Sequence, residues 1–414
     1  QEKLGEDLAD YGLENVIISD DTISSTDLIR RKWLNNDFGG VTYSLNHKME
    51  SIDLILGGAS NRYSGQHYGN VIWAKYASDA DYNHQYYWNK AEKLDHNFFA
   101  KANYAYSNST NIYADLQRRR IDYIFEGKDE DGNTAEQEVV LSFFNPKVGL
   151  FHDLNDNQSL YVSFAVANKE PNRKDFVEST PNSRPEHETL YDTEVGYKIS
   201  GEKLSLGINL YQMNYKNQLV LTGAINDVGE YTRTNIDESY RKGIEIEGTY
   251  TLTKKLSWAG NITLSENKIL NHTAYVDNWD TWGQEKINYK NTDLAFSPNI
   301  IWASLFNYTV NENTSVDFIS KYVGKQFIDN SSSEDRMLDD YLVNNLRLSY
   351  EWDSKIFNTA KLTLQVNNLL NNEYVSNAWV YRFISDDWDP RDSDHYVNKD
   401  SERGYNMAAY FPEA

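Results

Sequence analysis

The chain has 414 residues, a formal net charge of −22, no cysteine and a mean hydropathy of −0.70. Its 31 Tyr and 10 Trp supply too much large apolar surface for a disordered acidic chain, so it folds. The missing cysteines exclude a disulfide framework, thiolate catalysis and Cys-ligated metals, and the acidic balance argues against nucleic acid as a partner.

In chain order, residues 1–36 read as a connection before the first strand, and residues 37–414 as a single β domain. Period-two alternation then runs through nearly every segment. Short polar turns recur at Asn46–Ser51, Asn108–Asn111, Asn155–Asn157, Ser200–Lys203, Thr253–Lys255, Asn311–Asn313 and Asp353–Asn358. Between them lie longer connections, near 61–93, 127–138, 170–187, 221–230, 271–289, 329–337 and 371–404. The intervening strands carry one apolar face and one polar or small face. Leu160, Val162, Phe164 and Val166 alternate with Tyr161, Ser163 and Ala165; Leu204, Leu206, Ile208 and Leu210 alternate with Ser205, Gly207 and Asn209; Leu362, Leu364 and Val366 alternate with Thr363 and Gln365.

Alternation alone fits a sandwich or a membrane barrel, but the connections separate them. Short and long strictly alternate, so an antiparallel meander puts every short turn on one rim and every long loop on the other, as outer-membrane barrels do. The expected fold class is all-β: an antiparallel up-and-down transmembrane β-barrel, of which about 14 strands lie in this chain. Strands longer than the roughly 9 to 11 residues that cross a bilayer, such as 231–252, continue into the outer medium. Tyr104, Tyr106, Tyr197, Tyr250, Trp258, Trp302, Tyr350 and Trp352 fit interfacial girdles. The longest apolar run, Ile300–Phe306, is far too short for a membrane helix. No secretory leader pattern is legible in the first residues after Gln1. Both ends fall on the long-loop side and no final alternating strand follows Tyr410, so strands are expected to be missing at both termini.

Five phrases, in order, resemble the TonB-dependent outer-membrane receptors. Asn145-Pro146-Lys147-Val148-Gly149-Leu150 with Leu160-Tyr161-Val162-Ser163-Phe164-Ala165 is similar to a mid-barrel hairpin. Lys169-Glu170-Pro171-Asn172-Arg173 resembles the Arg-Glu-Pro-x-Arg outer-loop motif, with Lys169 in place of the arginine. Tyr191-Asp192-Thr193-Glu194-Val195-Gly196-Tyr197-Lys198 and Arg241-Lys242-Gly243-Ile244-Glu245-Ile246-Glu247 resemble later strands, and Asn367-Asn368-Leu369-Leu370-Asn371-Asn372-Glu373-Tyr374 the end of the penultimate one. The resemblance implies about 14 of a 22-strand barrel, strands 8 to 21, without plug, first strands or last strand. It also implies energised import of a scarce nutrient driven by the TonB-ExbB-ExbD complex through a plug. The nutrient class expected is a ferric siderophore or haem, with cobalamin, a glycan or passive porin function as alternatives. A surface lipoprotein is a further implied partner class; no cofactor is expected.

Tyr82, His84, Tyr86, Tyr87 and Trp88, then Trp279 and Trp282, then Trp379, Tyr381 and Trp388 fall in three of the long connections. Exposed aromatics on loops suit stacking on ring-bearing ligands; packing of the loops on one another is the alternative. The ligand-binding candidates are Tyr86, Tyr87, Trp88, Arg173, Trp279, Trp282, Tyr381 and Trp388, with Arg173 drawn from the motif. Asp386, Asp387, Asp389, Asp392 and Asp394 lack the glycine and glutamate of a calcium loop and read as solvated. Arg119 should join an interior network, while Arg118 and Arg120 should face outward near the outer interface, where outer-membrane lipid and lipopolysaccharide phosphates are the expected partners. An enzyme is not expected: Gly-x-Ser-x-Gly is absent, and His187-Glu188 lacks the second histidine of a zinc protease.

Overall fold

The computed structural model describes residues 1–77, 81–130, 132, 134, 136–177, 179, 184–225, 231–353, 356–386, 397–399, 401 and 406–410. The chain divides into two compact units, Gln1–Ala102 with Asp115–Pro146 and Asn168–His187, and Asn103–Ala114 with Lys147–Ala167 and Glu188–Ala414.

The first unit begins with short strands β1 (Glu2–Asp7), β2 (Val16–Ile18) and β3 (Asp21–Ile23). The long strands β4 (Ser25–Lys48), β5 (Ile52–Ala74), β6 (His84–Ser107), β7 (Thr110–Lys128) and β8 (Gln137–Asn155) follow, and then a helix, α1 (Arg173–Val177). The turn ends of β6, β7 and β8 belong to the second unit. That unit continues with β9 (Gln158–Lys169), β10 (Glu188–Ser200), β11 (Leu204–Ile225), β12 (Tyr231–Thr253), β13 (Leu256–Asn278), β14 (Gly283–Asp293), β15 (Ile300–Asn311) and β16 (Thr314–Val323). Next come the two-residue pair β17 (Gln326–Phe327) and β18 (Met337–Leu338), then β19 (Tyr341–Asp353) and β20 (Thr359–Val366). The short strands β21 (Trp379–Ile384), β22 (Val397–Lys399) and β23 (Asn406–Tyr410) complete the series.

Strands β4 to β13 with β15, β16, β19 and β20 are the fourteen read from alternation, each antiparallel to its chain neighbour. The seven short turns join them in pairs as expected. The long connections are less loop-like than the sequence suggests. The ladder between β4 and β5 reaches Leu28↔Ala74, so β4 starts at Ser25 rather than at residue 37. The stretch 271–289 is largely hairpin, in which β13 above Lys268 pairs with β14 while its lower part pairs with β15. Beyond the membrane both faces of a strand meet water, so the apolar alternation vanishes although backbone pairing continues.

Register sorts the second unit's side chains onto two faces. Tyr197, Ile208, Ile246, Ile262, Trp302, Tyr322 and Leu342 are directly opposed from strand to strand in one apolar row. One residue along, Lys198, Gly207, Glu247, Asn261, Ala303 and Lys321 form a polar row on the other face. The apolar face is not covered: Leu210, Ile300, Phe306, Leu362 and Leu364 are exposed. A continuous exposed apolar face is expected only where the solvent is lipid. The polar face is internally bonded. Arg347 donates to Asp317 Oδ2 at 2.7 Å, Asn307 donates to Asp317 Oδ1 at 2.6 Å, and Tyr161 donates to Asn209 Oδ1 at 2.9 Å. The Tyr161 ring lies across Gly196, where any Cβ would overlap it, which explains a glycine in mid-strand.

In the first unit, Ala91, Ile121, Tyr123, Phe125 and Phe143 form a compact cluster into which α1 inserts Phe176, 1% exposed. Leu8, Tyr11 and Leu13 of the N-terminal segment pack on Leu28 and Val71.

Candidate ligand-binding surfaces

The Glu170–Arg173 motif is positioned by the first unit's polar face. Glu170 is ion-paired with Lys93 and with Arg119 (3.0 Å), and Arg119 also holds Asp95 through its Nε at 2.9 Å. Arg119 therefore joins an internal network, as its place in the alternation indicates. Three residues on, Arg173 donates to Gly65 O (2.9 Å), Tyr63 Oη (3.4 Å) and Asn89 Oδ1 (2.6 Å). These two anchors fix α1, whose single turn could not persist alone. A cavity of about 440 Å3, lined among others by Asn61, Tyr63, Lys93, Glu170 and Arg173, opens beside them. His67 sits near this guanidinium, and burial followed by the Arg173 charge pushes it down to about 4.

Tyr86, Tyr87 and Trp88 lie on β6, not in a loop. Tyr86 packs 4.8 Å from Tyr11 and 5.0 Å from Tyr87, centroid to centroid, beside the buried Leu8 and Val71. Trp88 covers Gly127, whose φ of +90° suits glycine. These three aromatics are thus partly engaged in packing, whereas Tyr82 is 81% exposed. Arg173 and Glu170 owe their place to partners far along the chain that no local pattern announces.

In the second unit, Trp279 stacks on Phe383 at 4.0 Å and 14°, and its Nε1 donates to Tyr381 Oη at 3.4 Å. Tyr381 in turn donates to Asp277 Oδ2 at 2.6 Å; burial and that hydrogen bond push its phenol up to about 12. A short parallel pairing, Asp277↔Phe383 and Asn278↔Ile384, ties the β13 extension to β21. Trp282, at the hairpin tip, has a φ of +55° and is 92% exposed. A bulky residue in the left-handed region is a marker of a constrained tip. Trp388 lies outside the described residues, as do Asp387, Asp389, Asp392 and Asp394; the Asp386 amide donates to Asp280 Oδ2 at 2.8 Å.

Sharing Tyr381 with the stack is a cavity of about 280 Å3, lined among others by His272, Asp277, Asp329, Asn330 and Arg382. Of these residues only Tyr381 is a candidate from the sequence; His272, Asp277, Asp329, Asn330 and Arg382 carry no sequence signal. Asp329 accepts from the fully buried Arg336 at 2.8 Å, and Asn330 donates to Leu221 O at 2.6 Å, so the 329–337 connection is pinned rather than loose. His272, on β13 above the apolar rows, is pushed down chiefly by burial, with Asp329 opposing and Arg382 reinforcing.

Strand order, the apolar exposed face, the bonded polar face and the aromatic outer extensions define a segment of outer-membrane β-barrel receptor wall. The chain belongs to the family described as TonB dependent receptor-like, beta-barrel, which it matches over residues 6–369. Members of that family are outer-membrane β-barrels of Gram-negative bacteria that act as receptors and transporters, take up iron chelates and interact with TonB. The catecholate siderophore receptor Fiu of Escherichia coli (strain K12) is 22% identical over 258 residues, 58% of this chain and 31% of that protein. Among solved structures, the closed form of Fiu from K12 E. coli superposes with a TM-score of 0.58 at 15% identity, covering 94% of this chain and 54% of that one. The copper transporter OprC does so with a TM-score of 0.65 at 16% identity, covering 85% and 53%. The chain thus spans about a third of the length of its curated relative and about half of these solved chains. The structural likenesses speak for the fold alone.

Proposed function

We propose that the chain is barrel wall of a TonB-dependent importer of a ferric siderophore of the catecholate class. The observation that carries this reading is the family match over residues 6–369, with relatives named as catecholate siderophore receptors. Trp279, backed by the buried Phe383, and the exposed Trp282 supply flat faces suited to catechol rings, with Arg382 as a nearby cation for an anionic chelate. Haem, cobalamin and glycans have no comparable support. Import would draw on the TonB-ExbB-ExbD complex acting through a plug, and a surface lipoprotein would be an accessory.

Uptake of 55Fe carried by a catecholate siderophore, in cells with and without the gene and with and without TonB, tests the reading. Uptake should need both and stop when a protonophore collapses the proton-motive force. Uptake that persists without TonB would make the barrel a passive pore, and uptake of haem in place of the catecholate would move the ligand class.

A further inference from the structure

The outward face of the first unit changes character at one height. Val41, Tyr43 and Leu45 on β4, Phe98 on β6, Leu116 on β7 and Phe144 on β8 are exposed apolar side chains, the lipid face of this unit. Toward the long-loop end the same face turns basic. Arg62 is 64% and Arg120 57% exposed by side chain, and Arg118 is exposed beside them in the alternation. Arg62 reaches Glu92 at 3.2 Å, Arg118 donates to Ser142 Oγ at 3.4 Å, and Arg120 holds Asp122 at 2.6 Å. Lys90 also pairs with Glu92, and Ser60 is hydrogen-bonded to His96 at 2.9 Å. The group therefore holds Arg62, Lys90, Arg118 and Arg120 against two carboxylates, Glu92 and Asp122, in a chain whose net charge is −22.

The height is set by strand length. Arg62, Arg118 and Arg120 stand about ten residues above the short turns that open β5 and β7, the length at which a tilted strand leaves the hydrocarbon. Cations there meet the headgroups of the outer leaflet rather than bulk water. Their present partners are two half-buried carboxylates and a hydroxyl: Arg62 and Arg118 each make a single contact, at 3.2 and 3.4 Å, which holds an arginine only weakly, whereas Arg120 grips Asp122 through both Nε (3.0 Å) and Nη2 (2.6 Å). A guanidinium binds a phosphate oxygen pair in bidentate fashion.

We propose that Arg62, Arg118 and Arg120 form a phosphate-binding site on the lipid-facing surface, occupied by the phosphorylated sugars of lipopolysaccharide. Lys90 adds charge, and Glu92, Ser142 and Asp122 hold Arg62, Arg118 and Arg120 extended until a phosphate displaces them.

The intact receptor, extracted in mild detergent, is titrated with lipopolysaccharide, with the same glycolipid stripped of its phosphates, and with inorganic phosphate, and bound copies are counted by native mass spectrometry. Wild type should bind the phosphorylated form at least about tenfold more tightly than the stripped form. The triple variant R62Q/R118Q/R120Q should lose that preference, while R62K/R118K/R120K keeps most of it. Heat-modifiable migration on gels confirms that each variant is folded. Equal affinity of wild type for the stripped and phosphorylated glycolipid overturns the site, and it does so without any variant. A folded glutamine variant that binds as wild type does also overturns it. Inorganic phosphate displacing the glycolipid at matched concentration would mark a free-anion site instead and likewise refute the lipid assignment.

Discussion

Two tryptophans three residues apart in one hairpin do different things. Trp279 is stacked and hydrogen-bonded, whereas Trp282 stands 92% exposed. Trp282→Ala should leave thermal stability within about 0.5 kcal/mol of wild type and weaken siderophore binding roughly tenfold, read by tryptophan quenching or calorimetry. Trp279→Ala should instead loosen the β13–β21 pairing and speed protease cleavage near residues 379–384; equal cleavage rates would show that the stack does not hold the pairing. His67 gives a pH signature. Its proton affinity is lower in the folded state, about 4 against 6.5 for the free side chain, so between those values the unfolded chain binds more protons. Stability is therefore lost as pH falls from about 6.5 to 4 and is flat outside that window. Because the ring is only partly buried, the loss should be on the order of 1 to 2 kcal/mol. His67→Gln should remove that slope in hydrogen exchange of the first unit, and an unchanged slope would assign it to other groups.

At the scale of the strand, the two faces make opposite demands. Ile246 lies in the apolar row and Glu247 in the polar row beside it. Ile246→Lys should cost about 2 to 4 kcal/mol in folding into bilayers, while Glu247→Lys should cost far less. Comparable costs, measured by urea titration in liposomes, would mean the register is shifted by one. The Glu170 anchor can be separated from general stability: Glu170→Ala removes one partner of Lys93 and Arg119, leaving Arg119 on Asp95, and should raise amide exchange across 170–177 while β5 and β6 stay protected. The strands themselves were legible because Leu204, Leu206, Ile208 and Leu210 alternate with small polar residues, a pattern that lipid on one side and water on the other enforces. Tyr86, Tyr87 and Trp88 were read as loop because above the membrane that enforcement ends. The His272–Asp329–Arg382 cavity was not legible at all. Its walls join residues such as Asp277 and Tyr381 that are 104 apart in sequence, and side chains brought together by tertiary pairing leave no periodic trace.

For the molecule as a whole, the divided partnership of β13 has a further consequence. Its lower half, Leu256 to Leu264, pairs with β15, and its upper half, Lys268 to Asn278, pairs with β14. The change of neighbour falls in the short crossing at 294–299, held by Leu294 N to Asn267 O and Ser265 N to Asn299 O. Beyond Ile269, where the pairing with β12 ends, the outward part of β13 and all of β14 share no backbone pairing with the lower β13–β15 ladder. Such a joint makes the outer hairpin modular. Grafting the 268–293 hairpin between related receptors should change which chelate is recognised while the recipient still inserts normally, and insertion that fails would show the two halves to be coupled. The exterior of this wall is thus free to change in length and sequence while the embedded ladder keeps its register.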